Sequence, residues 1–147
     1  MVPDRIEREI VIEAPVERVW AALLEPAFWL GEADPAGVEV REGGVLVSEH
    51  AEHAEFPQRI EKIDPNRYLS YRWASGFPGA EPDSGNSTLV EFTLTEESGA
   101  TRLRVVETGF AGLAASEEQR RSSFEDNDGG WAGVLEELKE KVEKQRA

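Results

Sequence analysis

Hydrophobic side chains near the C-terminal end of the chain recur at helical spacing. The large apolar residues of this stretch are Phe124, Trp131, Val134, Leu135, Leu138 and Val142. They form one stripe on a helix, and the opposite side carries mostly Glu and Lys. We therefore predict an amphipathic helix from Ser116 to Lys144, beginning with a capping box of Ser116 and Gln119. Gly129 and Gly130 predict a bend within this helix.

Most of the remaining chain alternates apolar and polar positions with a period of two, which indicates strands. The first predicted strand is Ile6 to Glu13, and Pro15 then begins a short helix whose apolar face includes Trp20. Ala27 to Leu30 predicts a second short helix. Six further strands are predicted near Val38–Val40, Val45–Glu49, Phe56–Ile63, Tyr68–Ala74, Thr88–Thr95 and Thr101–Glu107.

These elements predict an α+β domain in the order β-α-α-β-β-β-β-β-β-α, with a curved sheet around the C-terminal helix. Ile60 and Ile63 break strict alternation, so we expect a β-bulge near Glu61. The stretch from Ser75 to Asn86 contains three glycines and two prolines and predicts a loop. It is either a flap over a cavity mouth or a surface connection.

Composition narrows the possible functions. A chain of 147 residues with 30 acidic and 16 basic residues is one domain with a net charge of −14, which disfavours nucleic acid and anionic membrane surfaces as partners. The absence of cysteine excludes disulfides, thiolate catalysis and cysteine-based zinc sites. The N-terminal residues lack the apolar segment of a signal peptide, and no apolar run is long enough to span a membrane, so we expect a soluble cytoplasmic protein.

Several motifs together resemble a known family. They are Pro15–Leu23 after the first strand, Phe28–Gly31, Pro65–Trp73, Gly130–Trp131 and Leu135–Lys139. Their order and spacing are similar to the AHSA1-like (Hsp90 ATPase activator homologue-like) proteins of the START-related SRPBCC, or Bet v 1-like, superfamily. The resemblance implies a helix-grip fold, in which a seven-stranded curved antiparallel sheet grips the C-terminal helix. It also implies a hydrophobic cavity between that sheet and the helix, in a fold shared by ligand carriers, cyclases and proteins without an assigned role.

Large aromatic side chains are the main candidates for lining such a cavity. Their rings supply apolar surface, and indole and phenol groups orient a ligand through hydrogen bonds. Ordinary core packing is the alternative for each ring. With one histidine added, the predicted ligand-binding residues are Trp20, Trp29, Tyr71, Trp73, Phe92, Trp131 and His50.

The two histidines of the chain, His50 and His53, lie among three glutamates. A hydrated hairpin tip explains them best, because no spacing fixes a third metal ligand. A metal site and an acid–base role for His50 are the alternatives. We therefore predict no metal site, and because the chain lacks nucleotide-binding and hydrolase motifs we predict no cofactor and no catalytic residue.

Four charged residues stand on strands predicted to be central, namely Arg72, Glu91, Arg104 and Glu107. Alternation with Tyr71 and Phe92 places Arg72 and Glu91 on the outer face, and we expect all four to form a surface charge ladder. Any of them that pointed inward would need a partner and would become a strong site candidate.

Three functions remain open. The first is a binding protein that holds a small, largely apolar or aromatic molecule and has no enzymatic activity. The second is a polyketide cyclase- or aromatase-like enzyme, which requires an inward-facing His50, Glu or Arg with a perturbed pKa. The third is a module that binds a chaperone or regulator through an exposed apolar patch. We expect a monomer or a homodimer in each case.

Overall fold

The structure, a computed structural model, describes residues 4–24, 41–49, 55–74 and 85–144. Two α-helices lie in these ranges, α1 (Val16–Leu23) and α2 (Glu117–Lys144). A single 3₁₀ turn, Phe110–Gly112, precedes α2. The strands are β1 (Arg5–Ile12), β2 (Val45–Glu49), β3 (Glu55–Asp64), β4 (Tyr68–Trp73), β5 (Thr88–Glu97) and β6 (Ala100–Thr108).

The six strands form one antiparallel sheet in the order β1-β6-β5-β4-β3-β2. The α+β class, the antiparallel sheet and the long C-terminal helix are therefore confirmed. Within the described ranges the sheet has six strands rather than the predicted seven, because the segment predicted as the seventh strand, 38–40, lies outside them. The second short helix, predicted at 27–30, and most of the loop 75–86 also lie outside the described residues.

The irregularity predicted near Glu61 is present. The pairing register between β3 and β4 shifts between Ile60 and Lys62, so that Glu61 is the extra residue. Ile60 is almost fully buried and Ile63 is only half-buried, which shows why strict alternation fails there. The bulge keeps both isoleucines in contact with the core although they are three positions apart.

The core lies between the sheet and α2. Strands β5 and β6 contribute alternate residues to it, including Val90, Phe92, Leu103 and Val105. The predicted stripe of α2 covers them, and its members Trp131, Leu135, Leu138 and Val142 are buried, while Phe124 and Val134 are partly buried against the same core. In the part of the chain that the structure describes, no helix is long and apolar enough to cross a membrane.

Helix α2 begins as the capping pattern predicts. The Oγ atom of Ser116 accepts a hydrogen bond of 3.1 Å from the backbone N–H of Gln119, which satisfies one of the free donors in the first turn. The predicted bend does not interrupt the helix, which continues through Gly129 and Gly130 to Lys144.

Replacing this cap gives a test of the helix start. We expect Ser116→Ala to lower the free energy of unfolding by about 1 kcal/mol, because the backbone N–H of Gln119 loses its acceptor. Urea denaturation followed by circular dichroism measures the change. Ser122→Ala is the matched control, because Ser122 is exposed inside the helix, where alanine is favourable. An equal loss in both variants would show that Ser116 does not cap the helix.

Contacts with the edge strand β1 hold α2 in place on the sheet. Arg8 Nε donates to Asp128 Oδ1 at 2.9 Å, and Lys139 Nζ donates to the backbone oxygen of Val11 at 2.8 Å. These two contacts bracket about three turns of α2. Trp131 lies between them, and its position over the sheet is fixed accordingly.

Candidate functional site

Glu107 on β6 is fully buried, with none of its surface exposed to solvent. It follows Leu103 and Val105 at alternate positions of β6, and these are also fully buried, so its side chain points into the core. The prediction that Glu107 belongs to an outer charge ladder is wrong. The alternation along β6 predicts the inward orientation of Glu107, since Thr101 also lies on this inner face.

The other three members of the predicted ladder have surface partners. Arg104 pairs with Glu7 across β1 and β6. The Nε atom of Arg72 lies 3.3 Å from Glu61 Oε1, and Tyr68 donates its hydroxyl proton to Glu91 at 2.5 Å. Glu107 alone among the four is turned inward.

The buried carboxylate of Glu107 accepts four hydrogen bonds. Its Oε2 atom accepts from Trp73 Nε1 at 2.9 Å, Thr88 Oγ1 at 2.5 Å and Asn127 Nδ2 at 3.0 Å. Its Oε1 atom accepts from Trp131 Nε1 at 2.7 Å. The donors come from β4, β5 and α2. One carboxylate therefore joins three elements of the fold across the interface between sheet and helix.

Burial and hydrogen bonding have opposite effects on this group. Burial raises the pKa of Glu107 above its ordinary value, because the charged form loses its hydration, while the four donors act to lower it. The pKa of Tyr71 is raised well above its ordinary value, first by complete burial and then by the negative charge of Glu107. Within the described residues, no Lys or Arg forms a salt bridge with Glu107. In this part of the chain, neutral donors compensate the buried carboxylate.

Four of the predicted ligand-binding residues meet beside Glu107 and form an aromatic cluster of Tyr71, Trp73, Phe92 and Trp131. The ring centroids of Trp73 and Trp131 are 6.4 Å apart, with 53° between the ring planes. Phe92 meets Trp131 edge to face at 5.6 Å, and Tyr71 lies 5.9 Å from Trp73 and 6.3 Å from Phe92. The aromatic cluster thus links β4, β5 and α2 around the carboxylate.

The remaining predicted residues are not brought into this cluster. Trp20 is buried on α1, and the ring contacts that join the other four do not include it. Trp29, His50 and His53 lie outside the described residues. In the ranges that the structure does describe, no group of three or more His, Cys, Asp or Glu side chains is arranged to hold a metal ion.

A cleft of about 110 Å³ opens beside the aromatic cluster, between β4 and α2. It is partly open to solvent and mainly apolar, and its lining residues are Trp73, Asp126, Asn127, Gly130, Trp131 and Val134. Its volume is below the ~150 Å³ of an apolar cavity that accepts benzene and well below a typical ligand pocket of ~300–1,000 Å³. The cleft therefore fits a small group or the end of a larger molecule.

Sequence reasoning missed the polar part of this site, Thr88, Glu107 and Asn127. Asn127 lies four positions before Trp131 and seven before Val134, so it falls on the apolar stripe of the helix. A polar residue on such a stripe indicates a buried hydrogen-bonding partner. That partner is Glu107.

The fold is shared with several solved structures. A protein from Mesorhizobium loti has 22% identity and a TM-score of 0.75, with 97% of this chain and 98% of that chain covered. The Aha1 dimer from Colwellia psychrerythraea has 21% identity and a TM-score of 0.71 over the full length of both chains. DynU16, from the dynemicin biosynthetic locus, has 22% identity and a TM-score of 0.72, and the alignment covers 96% of this chain but 48% of that chain.

Family membership follows from the sequence itself. Residues 13–143 match the family described as Activator of Hsp90 ATPase homolog 1-like protein, and the chain belongs to this family. No curated protein matches the chain.

Proposed function

We propose that this protein binds a small, largely apolar or aromatic molecule whose end enters the cleft between β4 and α2. The observation that carries the proposal is the position of Trp73 and Trp131, which line the cleft and donate their indole N–H groups to the buried Glu107. The carboxylate holds both rings in fixed orientations, so their apolar surfaces are preorganised for a ligand. Membership of a family with a ligand-binding fold supports the same function.

The size of the cleft sets an expectation for the ligand. A group that buries ~100 Å² of apolar surface gains about 2.5 kcal/mol, which corresponds to a Kd of about 10 mM. A ligand that binds more tightly must therefore contact residues beyond the cleft or add a polar interaction within it. The cleft supplies recognition of one end of the molecule.

Two glycines of α2 provide a test of the cleft. Gly130 lines it and Gly129 does not, and a Cβ added at either position meets no other atom within 4 Å. We expect Gly129→Ala and Gly130→Ala each to raise the free energy of unfolding by about 0.5–1 kcal/mol, because alanine favours the helix. Only Gly130→Ala should weaken ligand binding, because its methyl group narrows the cleft.

The measurement is a titration of tryptophan fluorescence with a set of small aromatic and aliphatic probes, with thermal unfolding of both variants run in parallel. Binding that Gly130→Ala weakens and Gly129→Ala leaves unchanged supports the cleft as the site. If no probe gives a saturable change, or if both variants bind like the original protein, the proposal fails.

A second candidate is a cyclase- or aromatase-like enzyme, and the inward-facing Glu107 with its raised pKa favours it. DynU16, which shares the fold, is described as a protein of a biosynthetic locus, and this agrees with a biosynthetic role. Its test is incubation with linear polyketone thioesters and mass spectrometry of the products. Turnover that Glu107→Gln abolishes in folded protein supports the enzyme, whereas unchanged substrate supports the binding protein.

The third candidate, an interaction module, requires an exposed apolar patch. In the described part of the chain, the only exposed large hydrophobic side chain is Val45, with 49% of its surface accessible.

A monomer and a homodimer are the two expected oligomeric states, and the dimer formed by the Colwellia psychrerythraea protein supports the homodimer. Light scattering during size-exclusion chromatography distinguishes a monomer from a homodimer.

A further inference from the structure

The cleft carries negative charge from two directions. Glu107 lies behind its tryptophans, and the exposed Asp126 stands among its lining residues. Its lining residues include no Lys or Arg in the described part of the chain. The net charge of −14 for the whole chain adds to this field. A cationic group is therefore favoured in the cleft over an anionic one.

Burial raises the pKa of Glu107, and the four hydrogen bonds oppose that rise because they stabilise the ionised form. The indole N–H groups of Trp73 and Trp131 can only donate, so neither accepts a proton from a neutral carboxyl group. Thr88 and Asn127 carry an oxygen that can also accept. Donation to a carboxylate polarises each indole and makes its ring more electron-rich.

The two indole rings are spaced for contact with one cation. Their centroids are 6.4 Å apart and their planes are inclined by 53°, so a single group in the cleft can lie within ~6 Å of both ring centroids. Tryptophan is the best aromatic partner for a cation, and partial removal from water strengthens the contact. Both rings line the cleft, at a spacing that allows one cation to contact both of them.

The occupied oxygens of Glu107 restrict the kind of cation. Oε2 already accepts three hydrogen bonds, and Oε1 accepts one from Trp131 deep in the core. A ligand in the cleft therefore meets ring surfaces and a field of negative charge rather than a free hydrogen-bond acceptor from Glu107. The carboxylate of Asp126 at the rim can accept from a cation that carries N–H groups, whereas a quaternary ammonium group is recognised by the rings and the negative charge alone.

We propose that the ligand carries a quaternary alkylammonium group, which occupies the cleft between Trp73 and Trp131 under the field of Glu107 and Asp126. The inference rests on the proposed function and specifies the chemistry of the ligand end. The cleft of about 110 Å³ is partly open to solvent, so it can hold part of a methylated ammonium group against the two rings, but it is too small for a fused ring system.

A matched pair of probes tests the charge. Choline and 3,3-dimethylbutan-1-ol have nearly the same shape, but only choline is charged. We expect choline to bind about tenfold more tightly, with both affinities measured by titration of the Trp131 indole N–H resonance in NMR spectra. Equal or tighter binding of the neutral alcohol overturns the inference.

Charge removal at the rim gives a second measurement. Asp126→Asn should weaken choline binding several-fold and leave the neutral alcohol unaffected. Glu125→Gln is the matched control, because it removes the same charge from an exposed neighbouring position that does not line the cleft. Equal effects of the two variants on choline overturn the role of the rim carboxylate and indicate attraction by net charge only.

The outcomes separate this inference from the proposed function. Binding of the neutral alcohol that Gly130→Ala weakens, together with weaker or absent choline binding, leaves the cleft as a ligand site and overturns the cationic ligand. If neither probe shifts the Trp131 resonance, the cationic ligand is also overturned. The aromatic and aliphatic probes of the fluorescence titration then decide separately whether the cleft binds a ligand at all.

Discussion

Replacing Glu107 with alanine is expected to lower the free energy of unfolding by about 3–5 kcal/mol at neutral pH, because four buried or partly buried donors lose their common acceptor. Urea denaturation measures the loss. Glu91→Ala is the matched control on the neighbouring strand, since Glu91 accepts a partly buried hydrogen bond from Tyr68 and its loss should cost about 1 kcal/mol. Similar losses in both variants would show that the buried network does not stabilise the fold.

The same comparison has a defined dependence on pH. The pKa of Glu107 is raised in the folded protein, so the folded state binds its proton more tightly than the unfolded state does. Its contribution to stability is therefore complete below the unfolded pKa of ~4.3 and is lost as pH rises through the folded pKa. The stability difference between the original protein and Glu107→Ala should be larger at pH 4 than at pH 7.

Surface carboxylates with a lowered pKa change stability with pH in the opposite direction, but their contribution is the same in the two proteins and cancels in the stability difference. Hydrogen bonds from arginines lower the pKa of Glu7 and of Glu97, so their stabilisation is lost as pH falls through their folded pKa values. Both residues are present in the two proteins compared. A stability difference that grows as pH rises from 4 to 7 would show that the donors outweigh burial and that the pKa of Glu107 is lowered.

Much of the fold follows from periodicity in the sequence. The stripe ending at Val142 defines α2, alternation defines the six described strands, and Ser116 marks the helix start, because each pattern has a direct counterpart in one element of regular structure. The pairing of β1 with β6 joins residues about 100 positions apart, so no local pattern predicts it. The sequence predicts one curved antiparallel sheet but no order of its strands.

The candidate site was only partly predictable. Tyr71, Trp73, Phe92 and Trp131 are found because large rings in a short chain are few and their strand or helix faces are readable. Glu107 was misplaced because a carboxylate on a strand is usually solvated, and its burial depends on donors from β4, β5 and α2. Those donors converge only in the folded molecule, so sequence alone does not show that the charge is compensated.

Trp131 should show the second large effect, because it contributes both a buried ring and a hydrogen bond. Trp131→Ala is expected to lower the free energy of unfolding by about 3–5 kcal/mol through the loss of its packing against Phe92 and Trp73. Trp131→Phe keeps most of the ring but removes the one donor to Glu107 Oε1 found among the described residues, and should cost about 1–3 kcal/mol. Urea denaturation of both variants separates packing from hydrogen bonding.

Trp73→Phe is the matched control for that hydrogen bond. It removes one of three donors to Glu107 Oε2, and Trp73 is only partly buried, so Thr88, Asn127 and water still satisfy this oxygen. Trp73→Phe should therefore lower the free energy of unfolding less than Trp131→Phe does. Equal losses would mean that the two carboxylate oxygens of Glu107 contribute equally. A larger loss for Trp131→Phe would show that the buried carboxylate, and the ring positions in the cleft, depend most on the hydrogen bond from Trp131.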